Sequence, residues 1–433
     1  MKATFQFLIL ISIVNITACQ KKHSVVDASI MLIQWNDLVI STMKTDGINP
    51  VLATRIFLYP NVAVCEVMSK ADTVCPQLSG VLNELLVIEN PKVDINYELA
   101  AVHAYYKTLR TLIYREDVCT TLYNKQIKLF RNRLDKNTFE NSIAYGEVVA
   151  QTIIKWSATD KYNKTKGQPY YHAKKIPGAW IPTPPEFRPA LEPHWGTLRP
   201  AILDSLSDYS TPPAVAFNLH TTSAFYTLAL AVYDSSKHIT NEQRSIALFW
   251  DDNPDLNNFN GHLPTPRRHI NPTAHWMSIV GQVLRRKKID FNHSAKIYAS
   301  VAVAFFDANL VCWHDKFTYN LIRPVTYIQD NIDSKWMPLL VTPPFPEYTS
   351  GHSACSAACA TVLTQILGDN YAFTDSTHFE SGLGVRKFDS FNTAAREAGI
   401  SRFYGGIHYI TTLEQSGEQG RLVGFKIIDK LSL

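Results

Sequence analysis

The chain has 433 residues, of which 46% are hydrophobic and 18% charged, enough apolar material for a large buried core. Its net charge of +4 is small for this length and gives no basis for nucleic acid as a partner. Any strong positive field must therefore be local, inside a cleft.

The N-terminus opens with Met1-Lys2, then an apolar run from Phe5 to Val14, then Ile16-Thr17-Ala18-Cys19. A basic start, a short apolar stretch and small residues read as a secretory signal, too short for an ordinary transmembrane helix. Cys19 after Thr17-Ala18 resembles a bacterial lipobox. Residues 1–19 are thus expected to be a lipoprotein signal. The mature body would then be exported and tethered to a membrane only by lipid, facing the periplasm or cell exterior. Six cysteines remain, at 65, 75, 119, 312, 355 and 359, and their spacing fixes no pairing. Cys355 and Cys359 lie four apart in an Ala-rich run and read as small core residues. No CxxC is present, so zinc has no support.

Residues 20–160 are predicted to be mostly helical. Tyr97 to Tyr114 has apolar residues at helical spacing, and Asn141-Ser142 is a plausible cap for IAYGEVVAQTIIKW. This half shows no polar constellation and is expected to act as scaffold. From 161 to 213 the texture changes to GAWIPTPPEFRPALEPHWGTLRP and its flanks. Proline removes donors and fixes φ, so this is an extended connection, and its aromatics suggest that it packs on the body. Residues 214–433 return to helices, predicted at Ser223–Tyr233, Thr273–Arg285, Asn292–His314, Ser353–Leu367 and Thr412–Leu431. The expected fold is all-α, two packed helical bundles, the second carrying the chemistry.

Three short motifs carry that chemistry. In the first, Lys316 and Arg323 are seven apart, one face of a continuous helix, with Pro324 limiting the helix. Two cations there would reach one anion. In the second, prolines 343, 344 and 346 lead into Glu347-Tyr348-Thr349-Ser350-Gly351-His352 and a small-residue run. Ser350 is a natural N-cap, Gly351 lets a ligand approach the backbone, and a helix start binds anions. His352 can give or take a proton. In the third, Gly405-Gly406 breaks the helix between Arg402 and His408 and lets both reach one point.

The order K-x6-RP, SGH, SR-x5-H resembles the signature of one superfamily. It contains the vanadium-dependent haloperoxidases and the acid and lipid phosphatases related to phosphatidic acid phosphatase type 2. Trp313, three residues before Lys316, matches the haloperoxidases, and the likeness is sharpest over 313–408. The resemblance implies vanadate as cofactor, with His408 as its axial ligand. Lys316, Arg323 and Arg402 would neutralise the oxygens, and the Ser350 hydroxyl and Gly351 N–H would add hydrogen bonds. It further implies His352 as acid–base residue and Lys316 as the group that polarises peroxide, so the catalytic set is His352, Lys316 and His408. The partners would be hydrogen peroxide, a halide and an organic acceptor. Where algal bromoperoxidases carry a second His, this chain has Phe345, which leaves the halide preference open, with iodide or bromide favoured. The alternative reading is a phosphatase using His408 as nucleophile and His352 as acid. Asp251 or Asp252, after Trp250, reads either as an anchor for a site arginine or as a solvated carboxylate. His314, Asp315 and Tyr319 flank the first motif as further candidates.

Overall fold

The computed structural model describes residues 28–174, 176–254, 257–260, 263–266 and 269–433. Residues 1–19, expected to be a lipoprotein signal ending at Cys19, lie outside them. In chain order the first half contains α1 (Ala28–Asp46), α2 (Pro50–Met68), α3 (Tyr97–Arg110), α4 (Glu116–Arg131) and α5 (Lys136–Ala158). The short α6 (Tyr162–Thr165) opens the extended connection. The second half contains α7 (Ala224–Lys237), α8 (Asn241–Phe249), the hairpin β1 (Asn257–Asn260) and β2 (Leu263–Pro266), and α9 (Pro272–Lys287). It continues with α10 (Phe291–Tyr319), α11 (Pro324–Asn331), α12 (Gly351–Leu367), the antiparallel pair β3 (Phe373–Asp375) and β4 (Arg386–Phe388), α13 (Phe391–Tyr404) and α14 (Ile410–Leu431). The all-α expectation holds.

Two local expectations change. The helix expected from Asn141-Ser142 starts at Lys136, where the Asp135 side chain accepts from the N–H groups of Asn137 and Thr138. Ser142 is mid-helix, its hydroxyl bonded back to Thr138 O and accepting from Asn96 N. Residues 69–96, expected to be mostly helical, form an irregular crossing. Glu66 organises its start by accepting from the N–H groups of Leu78 and Ser79.

One main core cluster runs through both halves, joining α1, α2, α3 and α5 to α9, α10, α12 and α13. α10 is its axis and touches α2, α12 and α14. By length and composition α2 and α10 are apolar enough to cross a membrane, yet 94% of an apolar 18-residue stretch in each is buried within the protein, as in core helices. The tightest packing is α12 on α14. A Cβ at Gly420 would lie 1.9 Å from Ala354 O, and one at Gly424 would lie 2.7 Å from Thr361 Cβ. Glycine at these two positions is what lets α14 close on the Ala-rich face of α12, and so fixes the helix that begins at Gly351.

The proline-rich connection is packed down, as expected. Asp160 receives Arg55 Nε at 2.6 Å and the Tyr59 hydroxyl. The buried Asp307 of α10 accepts the consecutive N–H groups of Ala201, Ile202 and Leu203. Burial raises its pKa to about 6, the three N–H bonds working the other way. Asp315, one turn before the end of α10, takes Ser210, Thr211 and Gln419.

Candidate active site

α10 ends at Tyr319, where Asn320 adopts a left-handed cap (φ 51°). Arg323 follows as the N-cap of α11. The expectation that Lys316 and Arg323 share one helix face is therefore wrong. Asn320 turns the chain, and Arg323 approaches the site from a separate segment. Pro324 starts α11 rather than ending a helix, its missing N–H costing nothing at N1.

Ser350 caps α12, its hydroxyl accepting from Ser353 N at 3.4 Å and Ser353 Oγ at 3.2 Å. Its own N–H donates to Ser416 Oγ. The first-turn N–H groups of Gly351 and His352 have no partner within the helix. A Cβ at position 351 would meet only ordinary contacts, Trp313 at 3.7 Å and Cys312 Sγ at 3.9 Å. Packing does not demand glycine there. The room it leaves opens on a cavity lined by Gly351, His352, Arg402 and His408, with walls from Trp313, Phe345, Phe305 and Pro50. Pro50 belongs to α2, so the first half is more than scaffold.

Arg402 is the last-turn cation of α13, and Gly405 and Gly406 return the chain to His408, as the third motif suggests. A Cβ at Gly405 would lie 2.6 Å from Leu340 Cδ1, so this turn needs its glycine. His408 Nδ1 bonds Glu347 Oε1 at 2.8 Å, and its Nε2 lies 3.2 Å from Arg323 Nη1. Glu347 is fully buried and also accepts from Tyr409 N and the Thr412 hydroxyl. A carboxylate on Nδ1 selects the tautomer that frees the Nε2 lone pair. His408 is held well below the usual histidine range by burial, then by Arg323 and Lys316. It is a neutral ring, as a metal ligand must be.

The cations divide into two kinds. Lys316 Nζ donates to the carbonyls of Pro346 (2.9 Å), Glu347 (3.1 Å) and Thr349. It clamps the 346–349 loop, and burial pulls its pKa down to about 7. Arg323 gives Nε to Phe345 O and Nη1 to Ile407 O, but its buried Nη2 has no partner. Arg402 gives Nη1 to Trp250 O at 2.5 Å, and its buried Nε has no partner. Phe345 lies under two of these charges, 4.9 Å from Lys316 Nζ and 5.1 Å from Arg323 Cζ.

His352 Nε2 bonds Trp250 O at 3.1 Å and stands 4.0 Å from Asp252 Oδ2. Burial and then Arg402 hold its pKa well below the histidine range. Asp251 and Asp252 are each 2% exposed, so the solvated reading fails for both. Asp252 engages His275 and His378. Of the flanking candidates, Asp315 is spent on the connection, Tyr319 donates to Thr211 O, and His314 does not line the cavity. The six cysteines beyond residue 19 are free and buried, Cys355 and Cys359 in the core as expected.

Buried guanidinium N–H groups without partners, a neutral imidazole nitrogen beside them and a helix start form a site for a compact, multiply charged oxyanion. Vanadate fits this donor set: two orphaned donors, Arg323 Nη2 and Arg402 Nε, await acceptors, and His408 Nε2 supplies one lone pair. A helical-bundle, oxyanion-dependent enzyme is the class that fold and site define.

Residues 296–432 match the family model of the VCPO second helical-bundle domain. Across 93% of its length the chain matches 96% of the structure of the first bacterial vanadium-dependent iodoperoxidase, at 40% identity and TM-score 0.87. It shares its fold with holo-type and apo-type bacterial vanadium-dependent chloroperoxidases. Both align with 89% of the chain at TM-score 0.65, with 16% and 15% identity, over 93% and 95% of their own lengths. No curated protein matches it. The chain belongs to the vanadium-dependent haloperoxidase family, and vanadate is its cofactor.

Sequence reading missed two things. Glu347 was visible inside the second motif but had no assigned partner. The pairing of His275 with Asp252 and with Asp375 joins residues 23 and 100 apart, separations without local signal.

Proposed function

We propose that this protein uses hydrogen peroxide to oxidise halide, iodide in preference, to a hypohalous acid equivalent. The observation that carries the reading is His408 Nε2, left unprotonated by the Glu347 bond, 3.2 Å from Arg323 Nη1 and sharing its site with the unpartnered Arg323 Nη2 and Arg402 Nε. Bound vanadate supplies a Lewis acid that activates peroxide without a change of oxidation state. Arg323 and Arg402 balance the oxyanion charge, and the Gly351 N–H and Ser350 hydroxyl add neutral donors from the start of α12.

His352 is the acid–base residue. Its Nε2–H donates to Trp250 O, leaving Nδ1 as the lone pair that accepts the peroxide proton and later returns it. A neutral ring at pH 7 suits that task. Lys316, its donors spent on the 346–349 loop, would act on bound peroxide through its positive field and by holding that loop in place. Phe305, Trp313, Pro344 and Phe345 offer the halide apolar walls. Such walls replace little hydration, which favours iodide, the least strongly hydrated and most easily oxidised of the three common halides. The similarity to an iodoperoxidase supports the same choice.

The test is iodide oxidation by protein loaded with orthovanadate, followed as triiodide. His408→Ala and His352→Ala should each abolish it, and undiminished turnover in either would sink the assignment. We also propose export as a lipoprotein anchored at Cys19. A Cys19→Ala variant still found with the membrane fraction would refute it.

A further inference from the structure

Behind the cavity wall lies an array of imidazoles and carboxylates that the oxyanion chemistry does not use. Asp252 is its centre. Its two oxygens lie 3.0 and 2.8 Å from His275 Nδ1, and Oδ1 lies 3.0 Å from His378 Nε2. His275 Nε2 in turn meets Asp375 Oδ2 at 2.8 Å. All four side chains are buried. The Trp250 ring stacks on His275 at 4.4 Å, and Phe249 stands edge-on to His378.

These atoms are close enough to suggest a metal site. The hydrogen bonds argue otherwise. An imidazole with a carboxylate on each nitrogen satisfies both only as the doubly protonated ring, which has no lone pair to give a cation. Burial opposes that charge, yet Asp252 and Asp375 together push the His275 pKa up to about 10. The array is an ion-pair network.

Its reach into the site is through the backbone. Asp252 has φ +40°, a left-handed conformation that a side chain disfavours. The bonds from two imidazoles hold it there. The turn it closes carries the Trp250 carbonyl, and that oxygen accepts from both Arg402 Nη1 (2.5 Å) and His352 Nε2 (3.1 Å). A single backbone acceptor therefore orients an oxyanion-binding arginine and the acid–base histidine.

We propose that His275 and Asp375 are positioning residues for the oxyanion site: by clamping Asp252 in its left-handed turn they hold the Trp250 carbonyl where it aims Arg402 and His352 together. The inference rests on the vanadate-binding reading above and adds a layer of residues that never touch the anion.

The test compares wild type, His275→Gln and Asp375→Asn for orthovanadate Kd by equilibrium dialysis. It also compares KM for peroxide and iodide in steady-state iodide oxidation. Outer residues that orient a metal site typically contribute 10- to 100-fold. His275→Gln should raise vanadate Kd about tenfold or more and lower kcat/KM for peroxide to match, with KM for iodide within about twofold of wild type. Asp375→Asn, an isosteric change, should move both in the same direction by less. Adding Asp252→Asn to His275→Gln should cost little more, because both act through one turn. Unchanged vanadate Kd and peroxide kinetics in both variants, with only a lower Tm, would overturn the proposal and leave the array purely structural. A stoichiometric divalent metal in the purified wild type, lost in His275→Gln, would overturn it too. Should wild type oxidise no halide, the functional reading fails, while the vanadate Kd still decides the array.

Discussion

Replacing Arg402 with Met separates affinity from stability, because this arginine is poorly satisfied without its anion. Methionine keeps the length and apolar stem but removes the charge and every donor. In the protein alone, Arg402 makes a charge-assisted bond to Trp250 O, while its buried Nε has no partner. Losing that bond costs about 1.5–3 kcal/mol, and removing a buried orphan donor returns about 1–3 kcal/mol. The two offset in part, and the buried Asp251 and Asp252 also lose a counter-charge, so Tm without vanadate should fall by less than about 10 °C. With the anion bound, the variant forfeits a charge-assisted bond worth about 1.5–3 kcal/mol. Orthovanadate Kd should therefore rise about 10- to 150-fold. Equilibrium dialysis gives the Kd, and thermal unfolding with and without vanadate gives the second quantity. A Tm drop of more than about 10 °C with Kd unchanged would refute the reasoning and make Arg402 a structural tie.

Other consequences are separable. Glu347→Gln should lower the preference for vanadate over phosphate by about 10- to 100-fold, because phosphate feels only the lost charge while vanadate also loses a basic His408. Equal changes in the two dissociation constants would contradict the Nδ1 assignment. His352→Ala should cut kcat by about 10²- to 10⁴-fold yet leave vanadate Kd nearly unchanged, and a parallel loss of affinity would make His352 a binding group. His275 has its folded pKa raised from 6.5 to about 10. The stability it contributes is complete below the unfolded value and lost as pH rises through the folded one. The Tm gap between wild type and His275→Gln should thus narrow as pH climbs from about 7 to about 10.5, and a constant gap would show that the ring is neutral.

How far the sequence could be read depended on how local each signal was. The capped start of α12, the Gly405-Gly406 return and the helix that became α10 are written within a few residues, and they were legible. Of the seven residues singled out in sequence, Gly351, His352, Arg402 and His408 line one cavity, Arg323 reaches His408, and Lys316 and Ser350 hold the loop and helix start beside it. The route to that site was not legible. Seven-residue spacing implied one helix face for Lys316 and Arg323, but Asn320 in a left-handed cap ends the helix between them. Lys316 reads as a free cation in sequence, and only the folded loop shows its ammonium spent on three carbonyls. Asn141-Ser142 read as a helix start because both are good caps, but Asp135 caps the helix earlier in the chain and the Ser142 hydroxyl bonds back to Thr138 within it. The Asp252 array joins α9, β3 and the turn after α8, and no periodicity encodes such a meeting.

The central claim is that one anion site runs halide oxidation and does so only with vanadate. A single preparation, stripped and reloaded with orthovanadate or with phosphate, should be assayed with hydrogen peroxide against iodide, bromide and chloride, beside hydrolysis of p-nitrophenyl phosphate. The account expects turnover of iodide above bromide in the vanadate form, none in the phosphate form, and negligible ester hydrolysis. Ester hydrolysis blocked by vanadate, with no halide oxidised in either form, would contradict it.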